Sequence, residues 1–104
     1  MHMKLEHYPE KKLKKEILEI VGKRLDLKKY KVFFFGSRVS GDNFPKSDID
    51  IGIEGLNPIP FETISEIKEK IDNLPILYRI DIIDFQNVDK DFYEVAKQHI
   101  EAIN

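Results

Sequence analysis

The chain has 104 residues, with 17 Lys and Arg against 19 Asp and Glu, 41% hydrophobic residues and no cysteine. That length supports one ordinary hydrophobic core and not two, so residues 1–104 read as a single domain. The missing cysteines exclude disulfide staples, thiolate zinc sites and a cysteine nucleophile, and a formal charge of -2 gives no overall attraction to nucleic acid, for which no direct binding is expected.

Residues 1–9 are expected to be a loosely ordered segment in which His2 and His7 have no role. From Glu10 to Leu25 the apolar residues Leu13, Ile17, Ile20, Val21 and Leu25 recur at helical spacing, which predicts a first amphipathic helix. The run Lys11-Lys12-Leu13-Lys14-Lys15 then reads as its solvated face. Tyr30 to Phe35 is aromatic and β-branched on both parities, the pattern of a strand buried on both faces. This stretch contains the longest apolar run, Val32-Phe33-Phe34-Phe35, far short of the ~20 residues that span a bilayer. No membrane segment or secretory signal is expected, and the cytoplasm is the default location.

Asp48 to Glu54 alternates polar or small residues with Ile49, Ile51 and Ile53, so a second strand turns one face to a core. Gly55 to Pro60 has loop composition, and Pro60 suits the first turn of a helix running to about Asn73, with Phe61, Ile64, Ile67, Ile71 and Leu74 inward. Ile76 to Phe85 returns to strand composition. Beyond Val88, the residues Phe92, Val95, Ala96, His99, Ile100 and Ile103 trace a last helix, on whose stripe His99 reads as a packed or edge-lying residue. The order α-β-β-α-β-α in so short a chain predicts an α/β (α+β) fold, a small mixed sheet with helices packed on one face and the other face free for chemistry.

Three features bear on that chemistry. Asp48 and Asp50 are two apart on a strand, so both side chains leave the same face, with Cβ atoms about 6 to 7 Å apart. Paired carboxylates there either are merely solvated or seat a hard divalent cation, and magnesium prefers a few carboxylate oxygens plus substrate phosphates. Phe35-Gly36-Ser37-Arg38 breaks a buried strand at a glycine, which either punctuates the strand or lets the backbone approach an anion, with Ser37 as a hydroxyl donor. In Arg79-Ile80-Asp81-Ile82-Ile83-Asp84, a carboxylate interrupts a strand that otherwise looks buried. With Ile80 and Ile82 toward the helices, Asp81 shares the open face with Arg79, and Asp84 reads as a strand-end cap.

Gly36-Ser37, ten intervening residues, Asp48-Ile49-Asp50 and a later strand bearing Asp81 together resemble the polymerase-beta type nucleotidyltransferase superfamily. The stretch GSRVSGDNFPKSDIDIGIEG resembles its MNT group, the minimal nucleotidyltransferases. The resemblance implies nucleotidyl transfer with two Mg²⁺ ions held by Asp48, Asp50 and Asp81, and a phosphate cradle at Gly36 and Ser37. Arg38 is then either a further triphosphate contact or an exposed turn arginine. Lys46 and Ser47 flank Asp48 as secondary candidates for touching phosphate or hydrogen-bonding the site. Many members carry a second arginine where this chain has Ser40. The resemblance further implies ATP or another NTP as substrate, AMP as the group moved, and a hydroxyl acceptor on a HEPN-type helical protein, the two forming a hetero-oligomeric toxin-antitoxin pair. A catalytically silent antitoxin that acts by contact is the alternative, and nucleotidyl transfer to a small molecule is a third. So short a chain leaves no evident acceptor half, which also points to a partner.

Overall fold

The computed structural model describes residues 8–36, 39 and 48–104. In chain order they form α1 (Glu10–Gly22), β1 (Lys31–Phe35), β2 (Ile49–Glu54), α2 (Phe61–Asp72), β3 (Ile80–Asp84), α3 (Lys90–Ala96) and β4 (Glu101–Ala102). The α/β class and the order of helices and strands are as expected, with β4 added at the end.

The strands form one mixed sheet in the order β3-β2-β1-β4. β1 is antiparallel to β2 and β4, whereas β2 and β3 run parallel across the α2 connection. Strand alternation sorts the side chains. Val32, Phe34, Ile49, Ile51, Ile53, Ile80 and Ile82 meet Leu13, Ile17 and Val21 of α1 and Ile67 and Ile71 of α2 in the main core. Fully burying each such side chain contributes roughly 1.5–3 kcal/mol. Tyr8 packs against this core and donates its hydroxyl hydrogen bond to Glu16, so the folded body begins within the segment expected to be loose. Residues 1–7, and with them the expectations for His2 and His7, lie outside the described residues.

The opposite face is not bare. Phe33, Phe35 and Phe85 form a second buried cluster, capped by Ile83, Val88 and, from α3, Tyr93 and Ala96. The expectation that all helices share one face is therefore corrected: α3 covers part of the other. The cause is visible in β1, whose two-faced apolar character needs cover on both sides. Gly52 makes room for the cluster, because a Cβ there would sit 2.5 Å from ring atoms of both Phe33 and Phe85. Gly52→Ala is expected to cost about 2 kcal/mol through overpacking. Chemical denaturation will read this as a lower midpoint at unchanged slope.

The last helix is also shorter than its apolar spacing suggests. It starts on the Asp89 side chain, which accepts from Phe92 N at 2.8 Å, and stops at Ala96. The chain then turns into β4, where Phe33 pairs with Ala102 and Phe34 with Glu101. Glu101 is buried and meets Lys14 Nζ at 2.7 Å. The Asn104 side chain ties the end of this segment to β1, accepting from Val32 N at 2.7 Å and donating to Leu27 O and Tyr30 O. Phe61, expected inward, is 81% exposed, because it opens α2. Asp84 is the strand-end cap expected of it, accepting from Ile59 N and Gln86 N at 2.8 and 3.0 Å.

Candidate functional site

Register brings the site together. Phe35 lies opposite Asp50 across the antiparallel β1–β2 ladder, and Asp50 lies beside Asp81 across the parallel β2–β3 ladder. The three residues therefore form one row across three strands, with side chains on the face that α3 partly covers. Adjacent strands are about 4.8 Å apart, so two carboxylates are held side by side by backbone geometry alone.

Phe35, Gly36, Asp50 and Asp81 line a cavity of about 550 Å³ whose opposite wall is Phe92, Val95 and Ala96 of α3. Phe35 and Phe92 meet edge to face at 6.0 Å between centroids. Aromatic and aliphatic walls with carboxylates at one end suit a ligand with a flat apolar part and a charged part. Gln98 and His99 also line this cavity. Their place follows from the chain's turn after Ala96, which the helical reading of that segment hid.

Gly36 ends β1 with φ 84°. A Cβ at this position would fall onto Asp50 Oδ2, so glycine is required both for the backbone conformation and for the close approach to the carboxylate. Asp48 is exposed at the entry to β2. It does not line the cavity, but its charge acts on Asp50. Ser37, Arg38, Ser40, Lys46 and Ser47 lie outside the described residues.

Among the described residues the site carries more negative than positive charge. Burial, followed by the charges of Asp81 and Asp48, pushes the half-buried Asp50 carboxyl up to about 6. Among the described residues the counter-charge is Arg79 Nε, 3.6 Å from Asp81 Oδ1 on a largely exposed side chain, a contact worth little. Among the described residues no three carboxylates or imidazoles converge closely enough to hold an ion between them. The donor set nevertheless fits magnesium, which takes one or two carboxylates and completes its shell with water and substrate phosphate. Asp50 and Asp81 would hold it, with Asp48 within electrostatic reach.

α3 is pinned from the far side of the cavity. Glu54 accepts a hydrogen bond from Tyr93 Oη and another from Lys97 Nζ at 2.7 Å, and Lys97 lies 5.0 Å from the Phe33 ring centroid. Burial pushes the Glu54 carboxyl up, but these hydrogen bonds outweigh it and hold the carboxyl below its ordinary value. Tyr93→Phe is expected to cost about 1 kcal/mol, the worth of one such bond. Thermal melts of the two proteins will show the loss, and an unchanged melt would mean that the bond contributes nothing.

A family model described as polymerase beta, nucleotidyltransferase matches residues 15–103. Over 69 residues, 66% of this chain, the sequence is 32% identical to the probable protein adenylyltransferase MntA of Haemophilus influenzae. The match spans 60% of that relative's length. Among solved structures, a chain of a toxin-antitoxin crystal structure with AMP-PNP superposes with a TM-score of 0.70 at 16% identity, covering 88% of this chain and 72% of that one. A chain of the complex of tri-AMPylated Shewanella oneidensis HEPN toxin with MNT antitoxin gives 0.66 at 14% identity, covering 88% and 69%. At these identities the superpositions establish the fold. Among the described residues no helix is long and apolar enough to cross a membrane.

Proposed function

The chain belongs to the polymerase beta nucleotidyltransferase family, and we propose that it transfers AMP from ATP, with Mg²⁺, to a hydroxyl of a HEPN-type partner protein. In this reading it is one nucleotidyltransferase domain acting in the cytoplasm as the antitoxin of a hetero-oligomeric pair. The observation that carries the reading is the row of Phe35, Asp50 and Asp81 across three strands, beside the glycine turn at Gly36. The relative named a protein adenylyltransferase supports it, as do the toxin-antitoxin complexes that share the fold.

Each residue has a task in this reaction. Gly36 lets the backbone come close to the phosphates, with Ser37 and, secondarily, Arg38 and Ser47 as further contacts. Phe35 and Phe92 flank the apolar part of the cavity, where the base would lie. Asp48, Asp50 and Asp81 concentrate negative charge where the α-phosphate must react, which without a cation would repel the substrate. Bound magnesium would neutralise that charge, acidify the attacking hydroxyl and stabilise the leaving pyrophosphate. The acceptor oxygen bonds the α-phosphorus as the α–β anhydride bond breaks, pyrophosphate leaves, and the hydroxyl proton passes to water.

The test is incubation with each labelled NTP, with Mg²⁺ or with EDTA, in the presence and absence of a HEPN-type partner. Label on the partner from ATP, lost in EDTA, is the expected result. Tight complex formation with no transfer from any NTP would overturn the enzymatic reading and leave a silent binding subunit.

A further inference from the structure

β3 stands at the end of the sheet order, and among the described residues no strand pairs its outer side. Its inner side is fixed by the ladder to β2. Arg79 O accepts from Ile49 N at 2.8 Å, and Phe85 N donates to Ile53 O at 2.9 Å. In a parallel ladder alternate residues face the partner strand, so residues 79, 81, 83 and 85 turn their backbone groups inward. The N–H and C=O of Ile80 and Ile82 therefore point outward, four groups at the spacing of an extended chain.

They open on a groove of about 230 Å³ lined by β3 together with Lys68, Asp72 and Arg79. Asp81 and Ile83 line both this groove and the larger cavity, so the groove leads to the carboxylate pair. The strand itself, Ile80-Asp81-Ile82-Ile83-Asp84, has neither the lysine nor the proline that commonly blunts an edge.

We propose that the acceptor polypeptide docks as an added strand on the outer edge of β3. Its main chain bonds to the N–H and C=O groups of Ile80 and Ile82, and its hydroxyl-bearing residue sits opposite Asp81. This rests on the reading of the site as a nucleotidyltransferase with a protein acceptor. Strand spacing sets the acceptor residue about 4.8 Å from Asp81, on the face that carries Asp81 and Asp50. Extended main chain is the occupant that satisfies such a row of backbone groups. Lys68 and Arg79 balance Asp72 and Asp81 along this groove, which favours a segment without net charge. A second copy of β3 is disfavoured, because Asp81 and Asp84 of each copy would crowd four carboxylates onto one ribbon.

Amide hydrogen exchange, read by NMR on the chain alone and in complex with a HEPN-type acceptor protein, tests the proposal beside a parallel AMP-transfer assay. In the chain alone Ile80 and Ile82 are expected to exchange at least about tenfold faster than Asp81 and Ile83. In the complex their exchange is expected to slow by at least about tenfold. Unchanged exchange at Ile80 and Ile82, with or without transfer to that acceptor, overturns the docking. Protection that grows with protein concentration in the absence of acceptor marks a second copy and also overturns it. Protection by the acceptor without AMP transfer upholds the docking and removes the catalytic reading instead.

Discussion

Replacing Asp50 with Asn is expected to lower AMP transfer on the order of a thousandfold while making the metal-free protein more stable. The loss of activity follows from removing a charge at the centre of the row formed by Phe35, Asp50 and Asp81. The gain in stability follows from the carboxyl's raised value of about 6, caused first by burial and then by the charges of Asp81 and Asp48. In the unfolded chain the same group has its ordinary value of about 3.8. The folded state therefore binds the proton more tightly, and the stability this supplies is complete below the unfolded value and lost as pH rises through about 6. At neutral pH the native protein carries an ionised, half-buried carboxylate beside two others. For a fully buried group the rise would correspond to ~3 kcal/mol. Solvent screening of a half-exposed one reduces this to about 1 kcal/mol, or roughly 4–8 °C in melting temperature for a domain of this size. Thermal melts in EDTA at pH 5 and pH 7.5 check the point. The unsubstituted protein should lose stability between the two relative to the Asn variant, and an Asn variant less stable at pH 7.5 would refute the account.

Gly36→Ala is expected to reduce transfer by on the order of a hundredfold, with a smaller effect on the fold. A φ of 84° costs a non-glycine residue about 1–2 kcal/mol. The added methyl would also fall onto Asp50 Oδ2, so relaxation must move either the turn or the carboxylate out of the row. Displacements of this kind near 1 Å are worth about a hundredfold in rate. Single-turnover transfer and denaturant titration on one preparation separate the two effects. Transfer equal to that of the unsubstituted protein would show that the close approach at Gly36 has no part in the reaction.

Strand parity makes the carboxylates legible in the sequence. Ile80 and Ile82 had to face a core, which left Asp81 on the face of Asp50, and Asp84 fell on the other parity as a cap. What parity could not supply was the second layer. β1 already carried the signal, since Phe33 and Phe35 need cover as much as Val32 and Phe34 do, yet nothing in the sequence says which element provides it. The segment from Phe92 to Ile103 hid the answer. Glu101-Ala102 is too short to show a strand period of its own, so its apolar neighbours continued the helical count of Phe92, Val95 and Ala96. The aromatic wall and the placement of Gln98 and His99 were lost for the same reason. Phe61 departs from the inward stripe because helical spacing describes a helix's middle better than its first turn.

The alignment of Phe35, Asp50 and Asp81 has a consequence for how the chain tolerates insertion and deletion. Ladder pairing sets the row, and the length of the connection between β2 and β3 does not enter it. Doubling a flexible connection costs only about 0.6 kcal/mol in closure entropy. Within β2 the tolerance vanishes. One added residue between Asp50 and Gly52 would turn Asp50 toward the isoleucine core or shift the rest of the strand to the wrong face. Natural length variation compatible with the site is therefore expected in the connections, and whole-residue slips inside β2 should be absent from functional chains.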